Sequence, residues 1–149
     1  MNSEFHTPVL LQEVIEGLDI KQGKKYIDAT LGGGGHGFEM AKRGGIVLGI
    51  DVDQEAIEHV ELKVKSEKLK VTIGEDLILV RGNFRDIGEI ARQNGFGQVA
   101  GILFDLGVSL HQLKTAERGF SFVQDAPLDM RMDHALTVTA ADLVNGLYE

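Results

Sequence analysis

A run of glycines is the part of this 149-residue chain whose composition points most directly to chemistry. Residues 32–37 read Gly-Gly-Gly-Gly-His-Gly, follow a short apolar strand and open a helix. Each glycine loses extra entropy on folding, so a run of this kind is typical of a backbone that turns sharply and lets a ligand lie against it. The run therefore predicts a binding loop for a nucleotide-like cofactor.

An acidic residue follows at the spacing of a nucleotide-binding unit. Residues 46–50 form a nearly continuous apolar run, typical of a parallel strand buried on both faces, and Asp51 comes directly after it. An acid at this strand end can accept hydrogen bonds from both ribose hydroxyls of an adenosine. Asp51 could instead only cap a helix before Asp53, but its place at the strand end favours the ribose role.

Apolar periodicity predicts the sheet that positions these residues. Strands are predicted at residues 26–31, 46–50, 77–80 and 99–104, with helices between them, and residues 71–73 are predicted to form a hairpin with the third strand. An earlier helix is predicted with Thr7 as its cap and Pro8 at its first position. Four βα units of this kind predict a doubly wound parallel sheet with ligands at the carboxyl ends of its strands.

Several chemically capable side chains fall on that one edge. Besides the glycine loop, they are Asp28, Asp51, Phe84 and Asp105. Beyond Asp105 the alternation of strands and helices stops, and only residues 139–148 are predicted to form a helix. Its first turn is predicted to hold a capping box between Thr139 and Asp142.

Composition excludes several function classes. The net charge of −8 argues against a strong nucleic-acid-backbone binder, and the absence of cysteine excludes thiolate metal sites and agrees with a cytoplasmic location. The five histidines show no ligand-like pairing, so no metal site is predicted. Neither a membrane span nor a signal peptide is visible.

Five motifs in a fixed order carry a resemblance to a known family. They are residues 6–13, His-Thr-Pro-Val-Leu-Leu-Gln-Glu; the loop at 28–36; 105–109, Asp-Leu-Gly-Val-Ser; 118–122, Arg-Gly-Phe-Ser-Phe; and 127–133, Pro-Leu-Asp-Met-Arg-Met-Asp. From His6 to its end the chain resembles the MraW or RsmH family, bacterial methyltransferases that modify N4 of a cytosine in 16S ribosomal RNA of the small subunit. The resemblance implies a Rossmann-like class I α/β fold and S-adenosylmethionine as cofactor.

The resemblance also implies a set of cofactor-binding residues. Asp28 is suited to the α-ammonium group, Asp51 to the ribose hydroxyls and Phe84 to the adenine. The remaining positions of the expected pocket are Gly32, Gly34, Gly35, His36, Asp105 and Gln112. His36 is expected to act as a loop hydrogen-bonding residue, because nothing acidic nearby in the sequence orients it.

Asp105 is the expected catalytic residue. The amino nitrogen of cytosine is a poor nucleophile, and a carboxylate at the strand end can accept one of its N–H bonds while it attacks the methyl carbon. Many amino-group methyltransferases place Asp/Asn-Pro-Pro-Tyr/Phe here, whereas residues 105–108 read Asp-Leu-Gly-Val. Which group stacks on the flipped base is therefore left open.

The expected domain organisation follows the same resemblance. Residues 1–105 are predicted to be the cofactor-binding core, and residues 106–149 the active-site loop and the start of a helical, substrate-recognising insertion. The sheet is expected to be incomplete, with strands 1–4 only, so that the chain binds the cofactor without being active by itself. The bare fourth strand is expected to pair with a second copy or to be covered by residues 106–149.

Alternatives remain for the function and for the substrate contacts. An NAD-dependent oxidoreductase would use the same βαβ unit and Asp51, and a non-catalytic cofactor-binding half is the other alternative. Arg118, Phe120 and Arg131 are candidate RNA contacts. For the arginines an ion pair with Glu117 or Asp129 is equally compatible with the sequence, and for Phe120 core packing is the ordinary role.

Overall fold

The computed structural model describes residues 8–66 and 70–147. Within them the chain forms two compact units: the first ends at Leu106 and the second begins at Gly107. In the described part of the chain no helix is long and apolar enough to cross a membrane.

The first unit contains a parallel sheet of four strands in the order β3-β2-β1-β4. The strands are β1 (Lys25–Asp28), β2 (Ile46–Asp51), β3 (Leu77–Arg81) and β4 (Gly101–Leu103). In β1, one of the two central strands, Asp28 pairs with Gly49 of β2 on one side and with Leu103 of β4 on the other. The predicted α/β class and parallel sheet are therefore confirmed, with shorter first and fourth strands than expected.

The predicted hairpin before β3 is wrong. Ile73 makes only an isolated parallel bridge to Leu77. A tight turn joins them, in which the carbonyl of Thr72 accepts the amide of Asp76 and the carboxylate of Asp76 accepts the amide of Thr72 at 2.8 Å. Because the turn uses these groups, residues 71–73 have no long antiparallel partner.

Within the described part of this unit, four α-helices accompany the sheet: α1 (Leu11–Leu18), α2 (Gly35–Lys42), α3 (Gln54–Ser66) and α4 (Ile87–Gln93), with a 3-10 turn (Phe84–Asp86) before α4. The side chain of Asp53 accepts the amide of Glu55 at 3.1 Å and so caps α3, as its type predicts. The predicted start of α1 at Pro8 is wrong, because the helix begins after Leu10, whose φ is 52°. The Thr7 cap lies outside the described residues.

Alternation along the strands produces two cores on opposite faces of the sheet. Tyr26, Val47 and Leu77 point to one face, where residues of α1, α2 and α3 pack on them. Ile27 and Leu48 point to the other face, where α4 and Phe96 cover them. Successive strand residues face opposite sides, so helices on both faces bury most positions of the two central strands, β1 and β2, while the outer strands β3 and β4 stay more exposed.

The second unit is built from short helical pieces. It contains α5 (Leu110–Lys114), a 3-10 turn (Ala116–Arg118) and α6 (Ala140–Gly146). The capping box predicted for α6 is confirmed, since Thr139 and Asp142 bond each other's backbone amides. The predicted last residue of this helix, Tyr148, lies outside the described residues.

Candidate functional site at the carboxyl edge of the sheet

Asp51 ties the glycine loop to the end of β2. Its Oδ2 accepts the amide of Gly32 at 2.7 Å, and its Oδ1 accepts the amide of Asp53 at 2.9 Å. Burial raises the pKa of Asp51, while these two amide donors act in the opposite direction. Each carboxylate oxygen has two acceptor sites, so these bonds leave Asp51 able to accept ligand hydroxyls as well.

The glycine loop is compressed against its surroundings. Gly34 precedes α2 with φ 75°, and a Cβ there would stand 2.9 Å from both Phe38 Cε2 and Val60 Cγ2. A Cβ on Gly35 would collide with the ring of Pro8. Glycine at these two positions is therefore required by the left-handed backbone at one and by the packed neighbour at the other.

Asp28 lies beneath the loop and is 1% exposed. Its Oδ1 accepts the amide of Thr30 at 3.3 Å, and the amide of Gly37 also bonds its carboxyl group. Burial raises the pKa of Asp28 to about 7, and the charges of Asp51 and Asp105 push it in the same direction. The structure thus gives Asp28 loop amides as partners and little access to solvent.

Asp105 and His36 face each other above β1 and β4. The amide of Asp105 donates to Thr30 Oγ1 at 2.7 Å, and its half-exposed carboxylate lies 3.9 Å from His36 Nδ1. His36 Nε2 lies 3.1 Å from the carbonyl oxygen of Val9. The expected hydrogen-bonding role of His36 is present, but the premise that nothing acidic is near it is wrong, because the fold brings Asp105 to it.

Two aromatic rings that follow the two outer strands of the sheet meet at this edge. Phe84 follows β3 and Phe104 follows β4, and their centroids are 5.7 Å apart at an interplanar angle of 88°. Sequence reasoning singled out Phe84 but treated Phe104 only as a strand residue. The available signal was its position directly before Asp105, although the chain order alone does not pair it with Phe84.

Gln112 lies in the second unit, where it completes a capping box. Its Oε1 accepts the amide of Ser109 at 3.0 Å, and its own amide donates to Ser109 Oγ at 3.1 Å. The box satisfies the first amides of α5 and so fixes where this helix begins. Its expected cofactor contact stays a prediction.

The two candidate RNA-binding arginines are engaged within the second unit. Arg118 is 2% exposed, and its Nη2 donates to the carbonyls of Arg131 and Met132, each at 3.2 Å. These bonds give Arg118 a structural role within the second unit, and its phosphate contact stays a prediction.

Arg131 forms the alternative ion pair that the sequence left open. Its Nε and Nη2 donate to the two carboxylate oxygens of Asp129, both at 2.7 Å, and its Nη1 donates to the carbonyl of Leu136. The bidentate pair holds the pKa of Asp129 well below its usual range. Phe120 is half-buried, which favours neither packing nor base stacking.

The structure therefore brings Asp28, Gly32, His36, Asp51 and Asp105 together in the first unit, with Phe84 joined to Phe104 at the same edge. Among the described residues no group of three or more His, Cys, Asp or Glu side chains is arranged to hold a metal ion. The site is an acidic loop beside an aromatic pair.

Comparison with known proteins finds a family that matches nearly the whole chain. The profile of the MraW methylase family matches residues 3–149. Ribosomal RNA small subunit methyltransferase H of Cytophaga hutchinsonii is 46% identical over 143 residues, which are 95% of this chain and 45% of that protein. The chain thus spans less than half the length of this curated relative.

A solved structure supports the fold. The C-terminal domain of precorrin-6Y C5,15-methyltransferase from Rhodobacter capsulatus aligns with a TM-score of 0.54 and 15% identity, over 74% of this chain and 55% of that one. At this identity the likeness concerns the fold alone, the Rossmann-like sheet expected from the sequence. Taken with the profile match and the close relative, these findings establish that the chain belongs to the MraW methylase family.

Proposed function

We propose that the carboxyl edge of the sheet binds S-adenosylmethionine. The observation that carries the proposal is the gathering of Asp28, Asp51 and Asp105 around one glycine loop. S-adenosylmethionine brings a sulfonium and an ammonium group, which carboxylates attract, whereas the pyrophosphate of NAD would be repelled by them. The same charge pattern disfavours the alternative of a nicotinamide-dependent oxidoreductase.

In this proposal the glycine loop and the strand ends bind different parts of the cofactor. Gly34, Gly35 and His36 line the methionine and ribose, Asp51 accepts the ribose hydroxyls, and Phe84 lies by the adenine. Asp28 supports this arrangement from below by holding the amides of Thr30 and Gly37. Because Asp28 is buried, we assign it to shaping the loop and leave the ammonium to more exposed groups.

We propose further that full-length proteins of this kind transfer the methyl group to N4 of a cytosine in small-subunit ribosomal RNA. Support comes from the family and from the printed name of the Cytophaga relative. When bound, S-adenosylmethionine supplies an activated methyl group. Asp105 accepts an N–H of the attacking amino group, which holds its lone pair in line and stabilises the positive charge that develops on nitrogen.

Partners and location follow from this substrate. The small ribosomal subunit is the proposed macromolecular partner, and the cytoplasm is the proposed location because bacterial ribosomes are there. Residues 106–149 are proposed to be the active-site loop and the start of the substrate-recognising insertion. A homodimer through β4 also stays a proposal, motivated by the single neighbour of that strand in the sheet.

Calorimetry with the reaction product tests the cofactor assignment. Wild-type chain should bind S-adenosylhomocysteine and not NAD, and Asp51→Asn should weaken binding by about one to two decades, the value of a lost charge-assisted hydrogen-bonded pair. Asp19→Asn is the matched control, because Asp19 is exposed and pairs with Lys21 away from the loop. Equal affinities of the Asp51 and Asp19 variants would contradict the ribose role.

A further inference from the structure

Phe84 and Phe104 contact each other across the sheet. Their strands, β3 and β4, are the two outer strands, and β2 and β1 lie between them. Neighbouring strands are about 4.8 Å apart, so the two strand ends are about 14 Å apart. Rings that meet at 5.7 Å must therefore reach over the carboxyl ends of the two central strands, where Asp51 and Asp28 lie.

The backbones that carry the rings are anchored on both sides. Near Phe84, the amide of Gly82 donates to the carbonyl of Asp51 at 2.8 Å, and Asn83 caps the following turn through Arg85. Near Phe104, the amide of the next residue, Asp105, donates to Thr30 Oγ1 at 2.7 Å. Side-chain rotation can therefore move the rings without breaking these backbone hydrogen bonds.

Both rings are also unusually accessible for a contacting pair. Phe84 is 40% exposed and Phe104 is 47% exposed. An edge-to-face pair in a core would be covered, whereas this one presents apolar ring surface beside buried and half-buried carboxylates. A flat, apolar-faced ring whose attached groups interact with carboxylates fits such surroundings, and the purine of a nucleoside has this chemistry.

We infer that Phe104 is a second purine-stacking residue, and that Phe84 and Phe104 form a closed pair that separates to hold the adenine of the cofactor between them. The inference rests on the cofactor proposed above and adds a residue to it. A ring between two parallel rings needs centroids about 7 Å apart, twice the usual carbon contact distance. The observed 5.7 Å and 88° leave no such space, so binding replaces the ring-to-ring contact with two ring-to-purine contacts.

The pair also selects between ligands. Separating the two phenylalanine rings breaks their aromatic contact. A ligand with a flat ring replaces that contact, whereas a ligand without the purine does not. The pair therefore favours complete nucleoside cofactors over the methionine portion alone. Phe104 acts in this way as a specificity-determining residue for the site.

Substitutions at Phe104 test the inference with S-adenosylhomocysteine as the probe. Phe104→Leu should weaken binding about tenfold, since the purine loses one of its two aromatic stacking partners. Phe104→Tyr keeps the ring and should bind within about twofold of wild type. Leu62→Ala shortens an exposed apolar side chain on α3, 65% accessible and outside the proposed site, and should leave affinity unchanged.

A contact measurement separates a stacking role from a structural one. In protein labelled on phenylalanine, nuclear Overhauser effects should join adenine H2 or H8 to the rings of both Phe84 and Phe104, with the Phe104 signals assigned by their loss in Phe104→Leu. Unfolding free energies of the variants, measured in urea, should stay near the wild-type value because the ring is half-exposed.

The outcomes distinguish the inference from the function on which it rests. If the wild-type chain does not bind S-adenosylhomocysteine, the proposed function fails and the inference with it. If it binds but Phe104→Leu binds equally well, or Phe104 shows no contact with the adenine, only the inference is overturned. An equal loss of affinity in Leu62→Ala would overturn it as well.

Discussion

Replacing Gly34 with alanine should destabilise the chain by two separable effects. The first is backbone strain, because φ at Gly34 is 75° and a residue with a Cβ pays about 1–2 kcal/mol in the left-handed region. The second is overpacking, because the new Cβ would stand 2.9 Å from Phe38 Cε2 and from Val60 Cγ2. Both neighbours are buried core residues, so we add about 1–3 kcal/mol for the second effect.

Gly23 offers a matched control for the strain. Its φ is 72°, nearly that of Gly34, but a Cβ there would meet nothing within 4 Å. Gly23→Ala should therefore cost only the backbone effect, and the difference between the two variants isolates the packing effect at about 1–3 kcal/mol.

Urea unfolding followed by far-ultraviolet circular dichroism measures both free energies. For a chain of this size each kcal/mol also lowers the melting temperature by about 2–4 °C. A Val60→Ala background removes one of the two colliding atoms, so the cost of Gly34→Ala should be smaller there than in wild type. Equal losses for Gly23→Ala and Gly34→Ala, or an unchanged cost in the Val60→Ala background, would refute the packing argument.

Three further predictions concern charge, catalysis and the sheet edge. Asp28 has a pKa of about 7 in the folded chain against an ordinary 3.8, so between these pH values the native state binds a proton that the unfolded state has lost. The free energy of unfolding should therefore fall by up to about 4 kcal/mol as the pH rises from about 4 to about 7. Urea titrations at pH 4 and 8 check this decline, which should be smaller in Asp28→Asn; stability that is flat or rises over this range would contradict it. In a full-length protein Asp105→Asn should lower methylation of small-subunit RNA by at least about a hundredfold with S-adenosylhomocysteine affinity kept, and turnover within a few-fold of wild type would remove Asp105 from catalysis. Sedimentation should show a dimer of this chain if β4 pairs with a second copy, and hydrogen exchange should then be slow at Ile102; a monomer whose Ile102 amide exchanges as fast as a loop would exclude that pairing.

Much of the fold was predictable because local patterns and the global arrangement agree. The apolar runs before Asp51 and Asp105 have the composition of strands buried on both faces, and the structure has β2 and β4 there. The capping box of Thr139 and Asp142 is a contact between residues three apart, so the sequence contains all of it. The start of α1 was predicted less well, because Leu10 adopts a left-handed backbone that is rare for leucine and that its residue type does not indicate.

The candidate site divides in the same way. The sequence by itself determined three features: a glycine loop before α2, acids at the ends of β1 and β2, and motifs that match one family. Each of these features lies within a short stretch of the chain. Only the tertiary structure decided that Asp28 is buried, that Asp105 lies 3.9 Å from His36, and that Phe84 meets Phe104. Each of these depends on the strand order β3-β2-β1-β4, which brings together side chains that are distant in sequence. Burial and proximity then set the charge and access of each group, and neither can be read from the identity of the residue alone.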